Sequence, residues 1–364
     1  MAIVADGALK EILRHFPIKQ CSYVFAYGSA VFLQKDQTPG KMLDLVFVVD
    51  DPIKWHTENL TMNRNHYSGL RRFGPKAITR IQERMACGVY YNPYCNVDNL
   101  TIKYGVISSA SLEDDLRLWK HLYIAGRLHK PVLTLQSPTP ALEEAMRKNH
   151  QTALRAVLLQ EGIQMSKFDL YHGITELSYL GDTRMRFAEN PKKTRNIVQP
   201  LINEFDRLYM PLVNETGIAK YTENGLVIQD TSPSVRFKLL MSLPNPLQIS
   251  LAQQHCRDPR FFDIEEIMAE LSYLPYLRLY IRTAISDVVR GASLLQTFQG
   301  ILTAGVFKSI KYGLDKLKKR VQRKPSPPQE LLPPPDVQQS EDKIRLIFQL
   351  KSPPFKKRGR MMSS

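Results

Sequence analysis

Two apolar runs separated by a polar loop dominate the start of the chain. Tyr23, Val24, Phe25 and Ala26 lead into Gly28-Ser29, and after Gln37, Thr38, Pro39 and Gly40 a second run occupies 42–49. Runs of this kind bounded by turn residues predict two adjacent strands of one sheet. Ahead of them Leu9, Ile12, Leu13 and Phe16 fall at helical spacing and predict a short amphipathic helix ended by Pro17. Residues 52–85 read as helical pieces broken at Pro52 and Gly74-Pro75. Two further strands, 88–91 and 100–107, are predicted on either side of a turn rich in Asn and Pro. Ser111 reads as a helix N-cap, and Glu113, Asp114 and Asp115 behind it suit the positive end of the helix dipole better than a metal. Residues 138–228 read as mostly helical, and further helices follow in 258–324.

The C-terminal pattern differs in kind. Phe307, Ile310, Leu314, Leu317 and Val321 repeat at three-four spacing, while Lys308, Lys316, Lys319, Arg320 and Arg323 fall mostly on the other faces. Such a helix suits an anionic membrane surface. Eight prolines in 325–364 predict a disordered tail. No run of eighteen apolar residues occurs, so membrane contact is expected to be peripheral.

Charge sharpens this picture. The 364-residue chain carries a net charge of +15, which by itself would suggest nucleic acid. Residues 305–324 hold +7 of it and 325–364 another +3, which leaves +5 for the first 304 residues. The excess therefore describes an appendage, and no nucleic-acid partner is expected. Cys21, Cys87, Cys95 and Cys256 show neither metal-ligand nor CxxC spacing and read as reduced, buried small hydrophobes.

Candidate chemistry lies at the join of the first two strands. A Gly-Ser turn after a strand lets backbone N–H groups approach a phosphate, and the hydroxyl adds a donor, so Gly28, Ser29 and the adjoining Tyr27 are candidate nucleotide-binding residues. Asp44 opens the second strand, where a carboxylate can hold the Mg²⁺ that such phosphates carry. Phosphate cradle and metal carboxylate together are the parts of nucleotidyl transfer. Lys103 alternates with Ile102 and Tyr104 in a predicted strand, which is unusual unless its ammonium meets an anion, the other reading being an edge-strand lysine that snorkels. Arg127, His129 and Lys130 cluster on a turn and form a candidate phosphate site, with His56, Asn59, His66, Tyr67, Ser68, Arg71, Arg72 and Lys76 as further polar groups close after the first strands.

Gly28-Ser29 followed fifteen positions later by Asp44 resembles the signature of the polymerase-β-type nucleotidyltransferase superfamily. FAYGSAVF, LDLVFVVDDPIKWHTENL, HYSGLRRFGP, GVYYN, IKYGVIS and LYIAGRLHKPV together resemble the mitochondrial translocator assembly and maintenance protein family, the mitochondrial phosphatidate cytidylyltransferases or CDP-diacylglycerol synthases. The likeness spans roughly 22–313. One departure stands out: the superfamily's second carboxylate would fall two residues from Asp44, yet Met42 and Val46 occupy those positions. Asp50 shares the parity of Asp44 but lies about 20 Å along an extended strand.

The resemblance implies an α/β protein in which a polymerase-β-type nucleotidyltransferase sheet domain (1–135) is followed by a mainly helical domain (136–295); the basic amphipathic helix (296–324) and the disordered tail (325–364) are read from the residue pattern, since the likeness does not reach the tail. The resemblance also implies conversion of CTP and phosphatidic acid to CDP-diacylglycerol and pyrophosphate, feeding phosphatidylglycerol and cardiolipin synthesis. Asp44 and Lys103 would be catalytic, with Mg²⁺ on Asp44. Gly28, Ser29 and Tyr27 would hold the nucleotide, joined by Asp182 and Arg184 from a block similar to the family's LSYxGDxRM. Arg127, Lys130, His66 and Tyr67 would hold the lipid phosphate. Location on the matrix side of the mitochondrial inner membrane follows from the resemblance alone, because Asp6 and Glu11 make the N-terminus a poor match to an Arg-rich, acid-poor targeting sequence. Alternatives are an RNA nucleotidyltransferase and a catalytically inactive assembly factor.

Overall fold

The computed structural model describes residues 6–32, 42–85, 87–98, 100–182, 193–256 and 263–304. Of the predicted basic helix over 296–324 only 296–304 are described, as the end of a longer helix; the basic segment 305–324, the tail and Arg184 lie outside the described residues. Those described all fall in one compact unit, 1–320.

Helix α1 (Asp6–Leu13) buries Leu9, Ile12 and Leu13, and Phe16 follows it into the core, as their spacing predicts. The two apolar runs form β1 (Cys21–Tyr27) and β2 (Leu43–Val49), antiparallel neighbours in which every residue but Asp44 is buried. Both strands are interior to a five-stranded mixed sheet of order β3-β4-β2-β1-β5, whose other members are β3 (Val89–Val97), β4 (Leu100–Ser108) and β5 (Leu133–Gln136). With neighbours on both edges and layers on both faces, interior strands need apolar residues at every position, which is why these runs do not alternate.

Between β2 and β3 the chain makes α2 (Pro52–Met62), two 3-10 turns (Arg64–His66 and Gly69–Phe73) and α3 (Gly74–Met85). Asp51 caps α2, its carboxylate accepting from Lys54 N at 3.0 Å, while Asp50 accepts from Ser109 Oγ at 2.6 Å. Trp55 and Phe16 pack on Phe47, and Phe16 also meets Tyr104, which closes one face of the sheet.

Two expectations need correction here. Strand β3 does not stop at Tyr91 but runs on through Asn92-Pro93 to Val97, bulging between Asn92 and Cys95, where Tyr94 takes φ +54°. A bulge lets an edge strand absorb a proline that an unbroken ladder would reject. The helix α4 (Ser109–Leu118) is capped by Ser108, whose hydroxyl accepts from Ser111 N; Ser111 lies inside the helix and donates to Glu83.

After α5 (Ala125–Leu128) and β5 come α6 (Pro140–Leu158), β6 (Gln164–Ser166), α7 (Lys167–Leu177), α8 (Lys193–Val198) and α9 (Ile202–Glu215). β7 (Ala219–Tyr221) and β8 (Leu226–Gln229) then complete a second, antiparallel sheet of order β6-β8-β7 inside the stretch read as helical. Strands of three or four residues are too short to display a period of two, although Asn224-Gly225, with Gly225 at φ +79°, is a readable hairpin signal. Helices α10 (Pro233–Met241), α11 (Asn245–His255), α12 (Ile264–Ser272) and the long α13 (Leu277–Ala304) follow. One continuous core joins both sheets.

Candidate active site

At the end of β1 the chain reverses at Gly28, φ +86°, and winds so that Val31 and Phe32 donate to the Gly28 carbonyl at 3.1 and 3.0 Å. A Cβ on Gly28 would sit 3.4 Å from Asp44 Oδ2, in contact with the carboxylate, and at this φ any side chain would be strained. Ladder register makes this juxtaposition unavoidable: Asp44 lies opposite Tyr27 on β1 and opposite Lys103 on β4. Lys103 Nζ stands 3.9 Å from Asp44 Oδ1, and the two side chains are 27% and 26% exposed. Since β4 is an interior strand, Lys103 is not an edge lysine; its ammonium faces a carboxylate, and the Tyr91 ring lies 4.3 Å below it. Gly105, two residues further on the same face, makes room for that ring, because a Cβ there would fall 2.7 Å from Tyr91 Cε1. The Tyr91 and Tyr27 hydroxyls are 3.5 Å apart, and Arg127 lies over the Tyr27 ring at 4.0 Å. Burial pushes both tyrosines above their ordinary pKa, so each keeps its proton near neutrality.

Arg127 reaches this point because its turn is clamped from two sides. Asp115 is buried in α4, and its carboxylate accepts from the backbone N–H groups of His121, Leu122, Tyr123, Ile124 and Ala125 at 2.7–3.1 Å. Far from serving a helix N-terminus, as the sequence suggests, it organises the loop beyond its own helix. On the other side Asn149 of α6 accepts from Trp119 Nε1 at 2.8 Å and donates to Ala125 O at 3.0 Å. One turn of helix then presents Arg127 and Lys130 to a water-sized cavity of about 30 Å³ that Tyr123, Tyr179, Asp182 and Ser293 also line. The buried Lys130 ammonium donates to Gly126 O and to Ser178 Oγ, and no carboxylate is among these acceptors. Burial, with Arg127 and Lys193 nearby, holds its pKa well below the usual lysine range. Arg127 Nε has no hydrogen-bond partner among the described residues. Asp182 is buried and accepts from Ser293 Oγ at 2.8 Å.

The structure thus gathers Tyr27, Gly28, Ser29, Asp44, Lys103 and Arg127, with Lys130 and Asp182 beyond Arg127. It does not bring His66 and Tyr67 to them. Tyr104 alternates with Lys103 and points to the opposite face, where its hydroxyl lies 3.3 Å from His66 Nδ1. Tyr67 is buried beside it: its O–H donates to His56 Nδ1 at 2.8 Å, and its oxygen accepts from Asn59 at 2.9 Å. His56 Nε2 in turn donates to Gln82 at 3.0 Å, and burial lowers the His56 pKa to about 4, so the ring is neutral.

Sequence reasoning missed Tyr91, Tyr123 and Asp115. GVYYN holds the first, but a tyrosine in an apolar strand looks like core; Asp115 gives no local signal, because its acceptors lie up to ten residues ahead.

A sequence profile of the family described as "Phosphatidate cytidylyltransferase, mitochondrial" matches residues 9–319. Relatives bearing that name include one from Xenopus laevis, 42% identical over 316 residues, covering 85% of this chain and 93% of the relative. The Danio rerio protein gives the same identity and coverage, and the Mus musculus protein is 41% identical over 318 residues, 85% of this chain and 94% of its own.

Proposed function

The chain belongs to the mitochondrial phosphatidate cytidylyltransferase family, and we propose that it joins CTP and phosphatidic acid at the site around Gly28, Asp44 and Lys103. An oxygen of the lipid phosphate forms a new bond to the α-phosphorus of CTP. The bond from that phosphorus to the α–β bridging oxygen breaks, leaving CDP-diacylglycerol and pyrophosphate. The attacking oxygen is already anionic at neutral pH, so positioning and charge stabilisation dominate over base catalysis.

A single observation carries the reading: the phosphate-binding turn lies against a carboxylate, with 3.4 Å between Asp44 Oδ2 and the place a Gly28 Cβ would occupy. The N–H groups and hydroxyl of Gly28 and Ser29 hold the β and γ phosphates. Asp44 fits Mg²⁺ as a lone protein carboxylate: it is a quarter exposed, its Oδ2 is open toward the glycine, and among the described residues no group of three His, Cys, Asp or Glu surrounds it. The remaining ligands would be triphosphate oxygens and water, which Mg²⁺ accepts readily. Bound there, the ion would neutralise triphosphate charge. Lys103 moves from its carboxylate neighbour to the developing charge on the phosphates, Tyr27 and Tyr91 fix its direction, and Arg127 and Lys130 hold the lipid phosphate. Asp182, which lines the same cavity as Arg127 and Lys130, would contact the nucleotide where it meets the lipid phosphate, and Arg184 follows it two positions on in the sequence.

A Gly-Ser turn feeding an Asp-bearing neighbour strand in a mixed sheet supports assignment to the polymerase-β-type nucleotidyltransferases. We place the enzyme peripherally on the matrix side of the mitochondrial inner membrane, held there in part by the basic segment 305–324; no described helix is long and apolar enough to cross a membrane. The test is turnover of radiolabelled CTP with phosphatidic acid in liposomes, run beside an RNA primer. Label in CDP-diacylglycerol supports the reading, and label in RNA would replace it.

A further inference from the structure

Resting on that reading, a second lipid contact is visible within the folded body. The 3-10 turn Gly69–Phe73 ends in Phe73, which is 72% exposed, the second most exposed of the large apolar side chains described. Beside it begins a row of cations four residues apart, Arg72, Lys76, Arg80 and Arg84, all exposed. Residues at that spacing share one helix face. α13 packs against the same turn, and both α3 and α13 pack against β3, the edge strand of the first sheet. On α13 Leu294 and Leu295 are 56% and 41% exposed, and Met85 at the end of α3 is 40% exposed.

We propose that this surface, built from the turn Gly69–Phe73, the cationic row of α3 and the outer face of α13, docks on an anionic lipid bilayer. Apolar side chains next to a one-signed polar row are what a headgroup region accommodates: the rings and branched chains enter the acyl boundary while the cations meet lipid phosphates. Nucleic acid would satisfy the cations but leave Phe73, Leu294 and Leu295 in water. The placement also serves the chemistry. Val289, Ala292 and Ser293, on the inner side of α13, line the cavity that holds Arg127 and Lys130. One helix thus presents its outer face to the bilayer and its inner face to the cavity that holds Arg127 and Lys130.

The experiment compares the full chain with Phe73→Ser/Leu294→Ser and with Arg80→Glu/Arg84→Glu, none of which touches the reaction site. Each is co-sedimented with vesicles of phosphatidylcholine containing one fifth cardiolipin, with pure phosphatidylcholine vesicles and with single-stranded RNA. Turnover is measured on dihexanoyl phosphatidic acid, which is monomeric in water. Expected are at least a tenfold loss of binding to the anionic vesicles in both variants and unchanged turnover of the short-chain lipid. Wild-type binding by both variants would overturn the proposal and leave docking to segments outside the described residues. Binding to RNA that the same substitutions abolish, with vesicle binding untouched, would overturn it in favour of a nucleic-acid surface. Absence of turnover on the short-chain lipid by the unaltered chain, with vesicle binding lost in the variants, would instead count against the reaction and spare the docking surface.

Discussion

At the scale of single residues, the site depends on what Gly28 lacks. Gly28→Ala would place a methyl group 3.4 Å from Asp44 Oδ2 on a backbone at φ +86°. The strain costs about 1–3 kcal/mol, and the turn would shift away from the phosphate position. We expect kcat to fall at least tenfold, with Tm lowered by only a few degrees; unchanged turnover would show that the turn does not hold phosphate. Lys103→Met keeps the apolar stem over Tyr91 and removes the charge, so KM should rise selectively for one substrate. Unaltered kinetics for both CTP and phosphatidic acid would leave Lys103 as a structural partner of Asp44. The sequence made both residues legible, since a lysine between apolar strand positions and a glycine after a strand each break a local rule. Tyr91 breaks none, and its role depends on Gly105 across the ladder, a relation between strands that no single segment records.

Among elements, the interior strands were the most readable and the shortest strands the least. β1 and β2 announce themselves as unbroken apolar runs because they are covered on both faces, whereas β6, β7 and β8 draw their stability from pairing that a three-residue segment cannot signal. The α5 turn is set in a similar non-local way, by Asp115. Asp115→Asn leaves one carbonyl oxygen where a carboxylate served five N–H donors. Hydrogen bonds to a charged acceptor are worth about 1.5–3 kcal/mol each and do not sum, so a loss of about 3 kcal/mol is expected. In a chain of this size that lowers Tm by roughly 4–5 °C. Activity should fall further than Tm alone explains, because Arg127 rides on that turn. A variant that melts with the wild type would refute the clamp.

For the molecule as a whole, buried neutral histidines set the response to acid. Burial brings His56 to about 4, against 6.5 in the unfolded chain, and lowers His129 and His150 in the same direction. Between those two values the unfolded state binds more protons, so stability rises with pH there. The contribution of His56 is full above about pH 6.5 and is lost as pH falls toward 4, at up to about 1.4 kcal/mol per pH unit. Tm should therefore drop between pH 7.5 and pH 5, and a flat profile would place the proton elsewhere. Net charge could be located from sequence, since two thirds of it lies beyond residue 304, but the cationic row on α3 could not. Its residues are separated by apolar and acidic neighbours and align only once the helix is formed.

The most direct test of the account is the turnover number of Asp44→Asn with saturating CTP and phosphatidic acid. A neutral amide of nearly the same shape is a far poorer ligand for Mg²⁺, so the account predicts a normally folded protein with under about a hundredth of wild-type kcat. A purified, folded variant that retained more than about a tenth, a change worth only about 1.4 kcal/mol, would contradict the assignment of this carboxylate and with it the site.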